Sequence, residues 1–175
     1  MFEAASALCA TNHGDPAKVL AAADATGWQH EQPEAQGILN LFNMQLSPSV
    51  RLKLVGADQL MLEAKEKSQS TSAGLLRTRK CSVVAGGLGS AGVVEALKRQ
   101  FGRKPYAENP AIATYIYYDA DDGRHFLARD QKQIGAQDLL KHTVVEMTAG
   151  AVAGNYGVFY EESSLAPRPG TNPPE

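Results

Sequence analysis

Six residues from Gly87 to Gly92 read Gly-Leu-Gly-Ser-Ala-Gly and carry the spacing G-x-G-x-x-G. Where such a run leaves a strand and opens a helix, its glycines let the backbone approach a pyrophosphate, and the helix N-terminus faces the phosphate charge. Here a strand expected at Leu76 to Ala85 precedes the run and a helical pattern follows it. Gly87, Gly89, Ser90 and Gly92 are therefore candidate ligand-binding positions for a nucleotide or phosphate. Three features weigh against a dinucleotide. Asp119, the acid ending the next strand, lies 27 residues past Gly92, whereas a spacing of about 20 is usual. The element that follows reads as a hairpin, which breaks a parallel winding. No sequence remains for the second half of a doubly wound sheet. A glycine-rich entry into a capped helix explains the run better, and Asn12-His13-Gly14-Asp15 is a similar loop. The expected cofactor is none.

Other residues invite chemistry and lose it on inspection. Ser90 lacks the glycine two places earlier that a nucleophile elbow needs, since Leu88 stands there; a helix cap accounts for it. Cys9 and His13 have a C-x3-H spacing, but neither CxxC nor HxxxH occurs in the chain, so the expected metal is none. Cys9 and Cys81 occupy comparable places in the two halves of the chain, so a bridge between them is one reading. Two buried apolar thiols are the favoured one. Asp119, Asp121 and Asp122 begin like a calcium loop, yet Gly123 and Asp130 fall where the loop needs its third acid and its closing Glu. The stretch holding Tyr115, Tyr117 and Tyr118 is aromatic at both strand parities, which points to core on both faces. Were one face open, Tyr115, Tyr117 and the neighbouring His125 would be candidate ligand contacts.

The elements that would position these residues follow from periodicity. Asp15-Pro16 is a cap and first-turn pair, and Val19, Leu20, Ala23 and the stop Gly27 predict a helix over 16–26. Ser90, Val93, Val94, Leu97, Phe101 and the stop Gly102 predict another over 90–101. Val50, Leu52 and Leu54 alternate with charges and turn at residues 56–59 into Leu60, Leu62 and Ala64. Residues 112–118 turn at Asp121-Asp122-Gly123 into 126–129. Strands are also expected at 76–85, at 143–149, at 158–161 and, weakly, at 5–11; a short helix is expected within 132–141. Residues 65–72, Lys-Glu-Lys-Ser-Gln-Ser-Thr-Ser, read as a solvated linker.

Gly14, Asp15, Val19, Ala21 and Gly27 match Gly89, Ser90, Val94, Ala96 and Gly102 at an offset of 75. Order, caps and stops agree along with the residues, so the chain reads as two related β-α-β-β units. The expected fold class is α+β, a mainly antiparallel sheet with helices packed on one face. It comprises one domain over 1–162, with pseudo-repeats at about 3–66 and 76–132, a C-terminal strand region at 142–162, and a disordered Pro-rich tail at 163–175.

Composition narrows the partners. A formal net charge of −2 supplies no basic field for nucleic acid, and no run approaches the roughly 18 apolar residues that span a bilayer. Residues 1–9 lack a basic leader region, which leaves a cytoplasmic protein or a mature exported form without its signal peptide. The leading functional expectation is a non-enzymatic binding or accessory domain for a protein partner or small ligand. A nucleotide or phosphate binder using residues 86–92, and an oligomer-forming structural protein, are the alternatives; monomer against homo-oligomer stays open.

Overall fold

In a computed structural model, residues 1–30, 47–55, 58–85, 91–127, 135–152 and 155–167 are described. The chain opens with a short helix, α1 (Phe2–Ala5), that runs on as a π turn over Ser6–Ala10. The strand expected at 5–11 is thus helical. Ala5, Leu8 and Cys9, all buried, recur at i, i+3 and i+4, and alanine and leucine are strong helix formers. Helix α2 (Pro16–Ala25) follows its Asp15 cap, whose carboxylate accepts from the backbone N–H groups of Ala17 and Lys18.

Next come β1 (Val50–Val55), β2 (Asp58–Ser70) and β3 (Leu75–Ala85). Residues 65–70 are strand and not linker. They pair with β3 as far as Ser70 opposite Leu75, and the Thr71 side chain closes the turn onto Gly74. This arm is exposed on both faces, so its polar side chains carry no alternation for the sequence to show. Helix α3 (Ala91–Phe101) ends at Gly102, whose φ is +61°. Then follow β4 (Ala107–Asn109), β5 (Ile112–Ala120), β6 (Gly123–Phe126), α4 (Ala136–Lys141), β7 (Val144–Val152) and β8 (Asn155–Ala166). Residues 163–166, expected in a disordered tail, belong to β8, where backbone pairing with β3 extends to Ala166 opposite Leu75.

The strands form one eight-stranded sheet in the order β1-β2-β3-β8-β7-β5-β4, with β6 also on β5, and every ladder among the described residues is antiparallel. The architecture is α+β and dominated by this sheet. Its main core lies on one face. There Val19 and Ala23 of α2, and Val93, Val94 and Leu97 of α3, join Leu62, Val83, Val158 and Met147 of the sheet. Helix α4 departs from the expected one-sided helix layer. It borders the opposite face, where Leu139 adjoins Leu76 and Val144. Near β1, the second face carries a smaller apolar cluster of Val50, Leu52, Met61 and Val84.

Candidate binding face

Strand parity sorts the candidate residues. Tyr115 and Tyr117 share the parity of Met147 and Val145 and point into the main core, buried beside Phe101 and Phe126. The Tyr115 hydroxyl donates to the Arg103 carbonyl at 2.8 Å, and burial pushes both phenols above their ordinary range. They are packing groups and form no open platform. His125 lies on the other face. It stacks on Tyr118 at 5.1 Å between centroids, and its Nε2 is 2.6 Å from Asp122.

Gly87, Gly89 and Ser90 lie outside the described residues; Gly92 sits in the first turn of α3. The strands on either side of that helix, β3 and β4, do not pair with each other. Asp119, weighed above as the acid of a dinucleotide-binding pattern, is held by Arg124 at 2.7 and 3.0 Å. That hydrogen-bonded guanidinium keeps its carboxyl below the usual range. Cys9 and Cys81 are joined in a disulfide, their Cα atoms 5.5 Å apart, in place of the two thiols expected. The bond pins the N-terminal helical turn to β3, and with Cys9 so committed, no metal-ligating cluster occurs among the described residues.

A polar network was missed in the sequence. His13, at φ +52°, and Gly14, at φ +59°, fold the loop before α2 down onto Tyr160 and Arg79. His13 Nδ1 stands 3.4 Å from Glu162, which also accepts from the Tyr160 hydroxyl at 2.9 Å. Burial, reinforced by that carboxylate, drives the Tyr160 phenol far above its ordinary range. Arg79 spans Glu66 at 2.9 Å, Asp15 at 3.5 Å and Glu162 at 3.7 Å. The Glu66 hydrogen bond is the main cause of its raised pKa. With Arg79 shared by three carboxylates, and Glu66 also paired with Arg77 at 3.4 Å, the arrangement acts as a latch for the loop. The parity of Arg79 with Cys81 and Val83 was the available signal, since it turns a charge toward the apolar side.

The face opposite the main core is the one with room. Three cross-strand rows run over β3, β8 and β7: Ser82, Phe159 and Thr148; then Lys80, Glu161 and Glu146; then Thr78, Ser163 and Val144. The first two rows, with Glu63 and Lys65 of β2, line a concavity of about 330 Å³. Glu161 and Glu146 of the second row and the whole third row, with Leu76 and with Leu139 of α4, line an adjoining one of about 270 Å³. Lys80 donates to Glu161 at 2.6 Å and Lys65 to Glu63 at 3.0 Å. Glu146 faces solvent within these hollows and accepts a long hydrogen bond from Thr148 at 3.4 Å. Desolvation by the surrounding walls, and then the Glu161 charge, raise its pKa.

Such a face can hold a ligand by an aromatic floor, paired charges and hydroxyls that both donate and accept. No helix among the described residues is long and apolar enough to cross a membrane. No family model, curated protein or solved structure matches the chain.

Proposed function

We propose that this chain is a non-enzymatic binding or accessory domain that receives a protein partner or small ligand on the face of the sheet opposite its main core. The observation that carries the reading is the pair of joined concavities sharing Glu146 and Glu161. Specific ligand sites are concave, with a few convergent polar groups set in apolar walls, and Phe159, Leu76 and Val144 provide such walls here. Protein on this face is furnished for contact and not for bond-making. Lys65 and Lys80 are already neutralised by Glu63 and Glu161. The buried Cys9–Cys81 bond favours an oxidising compartment and hence the exported form.

The test is an NMR screen of the full chain against a mixed library of short peptides, sugars and nucleotides. Saturable amide shifts are expected to concentrate at Ser82, Glu146, Phe159 and Glu161. Shifts concentrated instead around His13 and Arg79, or around Gly92 with a nucleotide, would retire the reading.

A further inference from the structure

We infer that the lower concavity, bounded by Leu76, Leu139 and Val144 and floored by Glu146 and Glu161, is a pocket for a lysine or arginine side chain presented by an extended segment of a partner protein. The inference rests on the binding role proposed above and names the chemistry of the partner. Among the described residues, two carboxylates and the hydroxyls of Thr78 and Ser163 line this hollow and no basic side chain does, Lys67 standing opposite Thr78 on β2 but outside the lining. A long cationic side chain matches that mixture, because it lays its methylene stem on apolar surface while its head reaches charged or wet groups. A purely apolar group would desolvate both carboxylates, and Glu146, unlike the Lys80-bonded Glu161, has no bonded cation to offset that cost.

Register strengthens the case. Glu146 and Glu161 stand directly opposite one another on adjacent strands, a like-charge arrangement that destabilises a sheet. A cation seated between them reverses the sign of that interaction. Lys80 contributes only from above, for it lines the upper concavity and not the lower. Burial and the neighbouring Glu161 charge hold the Glu146 carboxyl up, as expected of an acid that lacks enough positive charge nearby.

The two hollows adjoin and share these glutamates in their linings, which favours a segment over a small amine. From Ser82 to Leu76 the groove follows seven residues of β3, about 20 Å of extended chain. Phe159 lies one row above the glutamates, and same-face side chains of an extended segment recur every second residue. The fitting sequence therefore carries an apolar residue two positions from the basic one.

The experiment titrates the full chain by NMR with the peptide acetyl-Leu-Ser-Lys-Ser-Leu-amide. Two controls are the same peptide with its lysine acetylated and one with Glu in place of Lys. The lysine peptide should shift the amides of Thr78, Glu146, Glu161 and Ser163 saturably and bind about tenfold more tightly than either control, a difference of about 1.4 kcal/mol. Glu146→Gln should weaken it about fivefold, and Thr78→Lys, which places a resident ammonium in the hollow, should abolish it. Both variants are surface changes, and a cooperative melting curve with a midpoint no lower than that of the natural protein checks that each is folded. Equal binding of all three peptides at this face would overturn the cation pocket and leave the binding face standing. The absence of any shift on this face, with these peptides and with the mixed library, would overturn both.

Discussion

Glu146 and Glu161 are a register pair, carboxylate opposite carboxylate on β7 and β8, while the one bonded ammonium, that of Lys80, sits on Glu161. A carboxyl whose pKa is raised by folding binds its proton more tightly in the folded state. Its ionisation therefore costs stability as pH climbs above the unfolded value, 4.5. Glu146→Gln should stabilise the protein at pH 7 by less than about 1 kcal/mol, since the site is exposed and screened. The gain should vanish below pH 4.5. Urea midpoints across pH measure it, and a gain that is constant with pH would deny the repulsion.

The Cys9–Cys81 bond closes a loop with a sequence separation of 72. In the chain-entropy account, such closure raises unfolding free energy by about 4 kcal/mol. Replacing both cysteines by alanine should lower stability by roughly that amount in guanidine titration. The reduced natural chain should fall to a similar midpoint, and a reduced protein as stable as the oxidised one would contradict this.

Gly14 and Gly102 separate backbone strain from crowding. Both have positive φ, but a Cβ at Gly14 would lie 3.2 Å from the Tyr160 ring and 3.3 Å from Arg79, whereas at Gly102 it meets nothing within 4 Å. Gly102→Ala should cost about 1 kcal/mol for the left-handed conformation alone. Gly14→Ala should cost about 2 kcal/mol or more and loosen the latch, read as faster amide exchange at His13 and Asp15. Equal costs at the two sites would mean that the loop gives way freely.

Asp15 caps α2 and meets Arg79. The backbone hydrogen bond from Lys18, aided by the Arg79 charge, lowers its pKa from the ordinary 3.8. The stability this confers is present above 3.8 and drains away as pH falls through the folded value. Asp15→Ala should cost about 1 kcal/mol at pH 7, and Asp15→Asn, which keeps the cap, should cost less. The difference between Asn and the natural residue should close in acid, as denaturation at pH 7 and pH 3 would reveal.

Much of the fold was legible where signals are local. Asp15-Pro16 announces α2, Gly102 ends α3, and the alternation of Val50, Leu52 and Leu54 marks β1. Signals weakened where local pattern and environment diverge. Residues 5–11, expected as a weak strand, are helical as far as Ala10, and the arm at 65–70 is polar because water reaches both sides. The binding face was illegible for a different reason. Lys80, Glu161 and Glu146 share a row only because β3 pairs with β8 across most of the chain and β8 with β7, and nothing local encodes such partners. For Tyr115 and Tyr117 the sequence pointed to core, and core is where they lie.

The bond between Cys9 and Cys81 also governs what proteolysis does to this molecule. A peptide bond cut anywhere between those positions leaves one covalent particle, because the sulfurs bypass the break. β1 and β2 lie wholly inside that ring. A single nick therefore cannot shed them, and any fragment of this kind shows itself only after a reductant has acted.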